Sequence, residues 1–218
     1  MPAGMQLWNA YGDLLCDSSN INMFLRHSGT SPGGAYPSIS VAAVDPVIFI
    51  RPLTNPSYVV SAVLSGGTLS VTFRNPCEYY IFDRPVLTSY LDVFDESGRQ
   101  VFTAAQRPLN IIGSVNIPAY YTSYRSAYRD GWTYSGLTSG KYAYNQAFVR
   151  QGYDSLPTVG RWDTWLIPES LAPTANGFHA SFADSGTPLL GWSPTYQNEF
   201  ISYAPNPPVS IIDVAGIL

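Results

Sequence analysis

Few groupings in this chain have residue types that could do chemistry. The sharpest is Asp184-Ser185-Gly186-Thr187, preceded by Phe182-Ala183. A carboxylate held on such a turn could take part in acid–base chemistry. Asp-Ser-Gly is also ordinary turn chemistry between strands. His27 and His179 are the only imidazoles, and no Gly-x-Ser-x-Gly elbow leads into a helix to set up a nucleophile. Ser28-Gly-Thr-Ser-Pro-Gly-Gly34 is rich in glycine but lacks the Lys-Ser/Thr ending of a phosphate loop. Two distant histidines and two distant cysteines make no transition-metal nest, and no loop spaces Asp and Asn for calcium. A glycosidase needs only two carboxylates, and the 15 acidic residues give no means of choosing a pair. The expectation is a protein that is not an enzyme and uses no cofactor or metal.

The Asp184 string does resemble the signature of aspartic proteases, which implies two such carboxylates sharing a proton to activate water and, with one copy per chain, a homodimer. The apolar-apolar-Gly element Ile111-Ile112-Gly113 lies upstream of it, in the wrong order for that family.

The stronger candidates for binding are aromatic. Tyr120, Tyr124, Tyr128, Trp132 and Tyr134 fall close together, with Asp130 and Asn145 nearby. Such rings can stack on sugars, fill a partner's pocket or pack between sheets. All three readings stay open at this stage.

The elements that would position these groups read as strands. Apolar residues alternate through Met5 and Leu7 and again after Gly12, with Asn9 and Gly12 suited to a bulged turn, so residues 5–17 form a hairpin. Leu91 through Ala104 align without gaps on Met5 through Ser18. Leu7 falls on Val93, Trp8 on Phe94, Asn9 on Asp95, Gly12 on Gly98 and Leu15 on Val101. Duplication and shared turn chemistry both explain the match. Strands are expected at Ser38–Val44, Val47–Ile50, Glu78–Phe82 and Val86–Val93, with a hairpin of Tyr58–Leu64 and Thr68–Phe73 around Ser65-Gly66-Gly67. His27 to Pro37 reads as a loop. A short helix near Ala104 or over Ile167–Leu171 is the only helical alternative. The apolar tail from Val209 should add a strand to its own sheet or a neighbour's.

Strands at this spacing give an all-β chain, a sandwich of antiparallel strands with hairpins and long Gly/Pro/Tyr-rich loops. A composition change after Pro108 suggests an N-terminal β-sandwich domain over 1–107 and a Tyr/Trp-rich β region over 108–218. That boundary is soft and is compatible with one domain.

Composition bounds the partners. Of 218 residues only 12% are charged, about half the usual share, and Lys141 is the sole lysine, whereas Tyr numbers 16. Lys and Glu are depleted and Tyr enriched where surfaces meet other proteins, so an assembly subunit is favoured. The net charge of −4 and scattered arginines give no stripe for phosphates, so nucleic acid is not expected. No run is long and apolar enough to span a membrane, and no secretory signal opens the chain. Two free thiols, Cys16 and Cys77, are favoured over a disulfide in a reducing cytoplasm.

Met1, Gly4 and Met5-Gln-Leu-Trp-Asn-Ala10, with Gly12 and Leu14, resemble the opening of small minor tail proteins of tailed bacteriophages and prophages. The resemblance covers mainly residues 1–20 and carries over no catalytic residue. It implies a structural subunit of a phage tail, at the tip or associated with a fibre. Such a subunit would be assembled in the bacterial host cytoplasm and located in the virion. Its partners would be other tail proteins and its own copies, as a trimer or hexamer by analogy. The alternative is a receptor-binding module for a host surface glycan or protein.

Overall fold

The computed structural model describes residues 6–8, 12, 14–17, 22–119, 131–182, 188–193, 199–200 and 205–218. All regular structure among them is extended, in several antiparallel sheets, so the fold is all-β and sandwich-like.

The centre is a six-stranded antiparallel sheet. Its members are β3 (Phe24–Thr30), β5 (Val47–Pro52), β8 (Cys77–Asp83), β11 (Ile111–Asn116), β13 (Tyr142–Gln146) and β19 (Pro208–Asp213). Their spatial order is β11-β19-β13-β5-β8-β3. Three strands precede residue 107 and three follow it, and the halves meet where Tyr144 lies opposite Ile50. The composition change near residue 107 therefore falls within one continuous sheet.

Strand alternation sends the side chains of this sheet to two faces. On one face Ile48, Ile50 and Ile81 pack beneath a three-stranded sheet, β4 (Ser38–Ala42), β7 (Thr68–Phe73) and β6 (Val59–Ser65), in that order. Leu69, Val71 and Phe73 fill that layer from above. Beside it, Tyr142, Tyr144, Val209 and Ile211 of the same face meet Leu171, Phe178 and Ala180 of a second upper sheet. That sheet is built from β12 (Trp132–Tyr134), β16 (Gly177–Phe182) and β15 (Arg161–Thr174). It continues through β14 (Gln151–Thr158) and β18 (Glu199–Phe200), with β17 (Pro188–Ser193) also on β15. A bridge between Ser57 and Leu171 links the two upper sheets. The opposite face, with Leu25, Phe49, Tyr80, Phe82, Ala143 and Ile212, packs against Met23, Leu109 and Ile217.

Two expectations need correction, and the one helical alternative left open is closed. Residues 27–30 are strand, not loop, because His27 to Thr30 pair with Ile81 to Glu78 at the sheet edge. Gly29 belongs there for packing: a β-carbon at that site would sit 2.7 Å from the Tyr79 hydroxyl of the facing residue, so the ring covers the backbone. No helix occupies Ile167–Leu171. Those residues lie within β15, which pairs with β14 as far as Pro168 and with β16 from Glu169. Ala104 is in a turn after β10 (Gln100–Thr103). The strand expected over 86–93 is confined to β9 (Asp92–Phe94).

Other expectations agree with the structure. The β6–β7 hairpin turns at Gly66 and Gly67, both with positive φ as a two-residue primed turn requires. The apolar tail enters its own sheet as β19, between β11 and β13.

Candidate functional site

Residues 84–106 form an arm whose frame is polar and whose outward side chains are apolar. The β9–β10 hairpin closes at Gly98 (φ 76°), where the Gly98 N–H donates to the Asp95 carbonyl at 3.0 Å. The Asp95 carboxylate accepts the N–H groups of Ser97 (2.8 Å) and Arg99 (2.9 Å) and the Arg99 Nε–H (2.7 Å). Asp92 accepts the Ser89 N–H and hydroxyl at about 3.0 Å. Gln106 Oε1 takes the N–H groups of Val86 and Leu87, and Gln100 Nε2 donates to the Leu87 carbonyl. Side chains thus satisfy the backbone of 86–91 where a ladder would otherwise be needed, which is why no strand forms there.

The arm is fixed at its base. Val101, Phe102 and Thr103 are buried, and the Phe102 ring meets Phe24 edge-on at 5.6 Å. Asn22 Nδ2 donates to the Val101 carbonyl, and Gln106 Nε2 to that of Leu25. Outward from this frame stand Val86, Leu87, Leu91, Phe94 and Tyr90, the last 96% exposed. Apolar side chains on an already ordered frame lose little freedom when covered by a partner, which favours binding.

The hydrogen bonds to backbone and side-chain donors hold both Asp92 and Asp95 below the usual aspartate value of 3.8. A depressed folded pKa contributes stability that is present above the unfolded value and lost as pH falls through the folded one. Amide exchange in residues 89–100 should therefore accelerate as pH drops below about 4, relative to the central sheet and after correction for intrinsic rates. Equal acceleration in both regions would contradict this.

The N-terminal hairpin repeats the geometry. In β1 (Gln6–Trp8) and β2 (Leu14–Asp17), Gln6 pairs with Asp17, Leu7 with Cys16 and Trp8 with Leu14, skipping Leu15. In the second hairpin Asp92 pairs with Thr103, Val93 with Phe102 and Phe94 with Gln100, skipping Val101. The gapless alignment therefore holds for register, for the bulge and for the glycine at positive φ (Gly12, 87°). Trp8 and Phe94, matched in sequence, are both exposed, at 56% and 53%.

The aromatic candidates divide. Tyr120, Tyr124 and Tyr128 lie outside the described residues. Trp132 and Tyr134 are half-buried in β12, with their rings 6.0 and 5.7 Å from Phe178. The chain on either side of 120–130 is anchored. Ile117 is buried and its N–H donates to the Pro207 carbonyl, Arg150 donates to the Pro118 carbonyl, and Trp132 pairs with Ala180. Behind that anchor the Arg150 guanidinium makes two bonds to Glu169, at 2.5 and 3.1 Å, with both residues buried. Burial pushes the Glu169 carboxyl up, against the pull of Arg150 and Gln146.

Chemistry finds little here. No group of three His, Cys, Asp or Glu residues is placed to hold a metal ion among the described residues. His27 Nε2 lies 2.9 Å from the Ala42 carbonyl, and His179 Nδ1 is bonded to Thr133. Cys77 is a free, buried thiol that desolvation pushes up to about 12, far from a reactive thiolate. Asp184 to Thr187 lie outside the described residues. A cleft of about 490 Å³ runs between β6 and residues 146–151. Its ionisable groups are the phenols of Tyr58 and Tyr144, both raised by burial and so protonated at neutral pH.

No family model, curated protein or solved structure matches this chain. The chain's own surface must carry the functional reading. Within the described residues no helix is long and apolar enough to cross a membrane.

Sequence reasoning missed the arm. Its apolar pairs, Val86-Leu87 and Tyr90-Leu91, read as strand, whereas Pro85 and the amides of Gln100 and Gln106 were the signals for an irregular path.

Proposed function

We propose that this protein is a structural subunit of a bacteriophage tail, a tail-tip or fibre-associated protein that works through protein–protein interfaces. The observation that carries the reading is the arm of residues 84–106, which holds five large apolar side chains in solvent on a frame stapled by polar bonds. A cluster of exposed apolar groups on a protein with few charges is the kind of surface that partner proteins cover. The resemblance of residues 1–20 supplies the virion context. The N-terminal hairpin, matching the arm's hairpin in register and in its exposed aromatic, offers a second joint of the same design.

The test is incorporation. Mass spectrometry of purified particles made from the genome that encodes this chain should find it at a few copies. Trp8→Ser combined with Phe94→Ser should leave the thermal melt nearly unchanged, since both side chains are exposed. Incorporation should fall several-fold. Absence of the wild-type protein from particles would end the reading.

A receptor-binding role remains the second reading. It is less well supported by Trp132 and Tyr134, whose rings lean on Phe178 and on each other.

A further inference from the structure

β6 is an edge strand of an unusual kind. It pairs with β7 on one side, and no strand pairs with its other side among the described residues. Every residue from Val60 to Ser65 is exposed, including Leu64, which points to the core-facing side opposite Leu69. The usual protections of an edge are a lysine, a proline or a twisting bulge. The bulge here is at Val60, leaving Ser61 to Ser65 regular, and the chain from Pro52 to Phe73 has no charged side chain. The opposite edge of the same sheet is different: the Ala42 carbonyl at the end of β4 lies against His27 Nε2.

We propose that the β6 edge pairs with β6 of a second copy of this chain, antiparallel about a two-fold axis through Val63. A row of open backbone N–H and C=O groups selects an extended polypeptide over a lipid or a small molecule. A neutral strand gains nothing from a charged partner and meets no repulsion from itself.

The sequence is also its own complement. With Val63 on the axis it meets Val63 of the second copy, Ser61 meets Ser65, and Ala62 meets Leu64. Directly opposed residues of an antiparallel pair share a face. Ser61, Val63 and Ser65 lie on the face of Ser70 and Thr72, where Ser38 bonds Thr72 and Ser40 bonds Ser70 across the strands. Pairing continues that hydroxyl-lined face into the second copy. On the core side, small Ala62 makes room for Leu64, which is then covered. Two three-stranded sheets become one of six strands, an ordinary sheet size. The contact is short, so the dimer is expected to form in the micromolar range or weaker.

This deepens the assembly reading by naming one joint within it. Sedimentation of the wild-type chain, from a few to several hundred micromolar, should show the mass rising from 23.8 kDa toward twice that value. Val63→Lys and Val63→Glu each place like charges face to face, about 5 Å apart, and each should stay at the single-chain mass. Val63 is 58% exposed, so both variants should melt like wild type. An equimolar mixture of the two should regain the dimer, an outcome that misfolding cannot produce. A wild-type mass that stays at one chain, climbs past two, or is unchanged by either substitution would overturn the proposal. A monomer that still enters particles would remove this joint and leave the assembly reading standing.

Discussion

Arg150→Met should cost about 3–5 kcal/mol in denaturant unfolding. Arg150 and Glu169 are both buried, and their two hydrogen bonds are supplemented by Gln146 Nε2 to Glu169 at 3.1 Å and by Arg150 to the Pro118 carbonyl at 2.9 Å. Removing the guanidinium leaves a carboxylate in a dry site with one amide for company, and an unpartnered buried charge is far costlier than an absent pair. The pH dependence separates this from lost packing. Burial already raises the Glu169 carboxyl above its usual 4.5, and loss of Arg150 raises it further. A raised folded pKa gives stability that is full below the unfolded value and lost as pH rises through the folded one. The deficit of Arg150→Met should thus shrink as pH falls toward 4.5. The double variant with Glu169→Leu should recover much of the loss, since a buried pair is worth little against apolar residues that fill its volume. A single variant that costs nothing, or a deficit independent of pH, would refute the assignment.

Phe178→Ala should cost a similar amount, about 3–5 kcal/mol. Phe178 is wholly buried and is the ring on which the second upper sheet rests. Tyr144 of the central sheet stands at 5.3 Å, and Tyr134 and Trp132 of β12 at 5.7 and 6.0 Å. The cavity left would be lined by three aromatic rings held on two strands of different sheets, β13 and β12. The Tyr144 hydroxyl donates to the Gly177 carbonyl at 2.5 Å, which limits how far the layers can collapse into it. Phe178→Leu should lose less than half as much. Trp132 emission should shift to the red in the alanine variant and stay near wild type in the leucine variant. Equal stability of the two variants would mean that the ring is not the keystone described.

What could be read from the sequence was governed by local turn chemistry. Gly12, Gly98 and the Gly66-Gly67 pair marked three hairpins because only glycine sits easily at positive φ. The alignment of residues 5–18 with 91–104 carried over to the register itself. What depended on distant partners was hidden. Polar His27-Ser-Gly-Thr30 becomes a strand only because β8 lies beside it. Ile167 to Leu171, with Pro168 in their midst, stay extended because β14 and β16 share β15 between them. The aromatic cluster illustrates the same limit. Its composition was plain, but Trp132 and Tyr134 are placed by pairing with Ala180 and Phe178, far along the chain.

The position of β19 has a consequence in time. It is translated after every other strand of the central sheet, yet it sits in the interior of that sheet, between β11 and β13. Until β19 emerges from the ribosome, β11 has no neighbour and β13 lacks one side, each exposing an open edge. Folding rates fall when pairing must wait for distant segments, and waiting edges are prone to mispair. The nascent chain is thus at greatest risk until β19 emerges, and a chaperone that shields the two waiting edges over that interval should govern how much native protein a cell recovers.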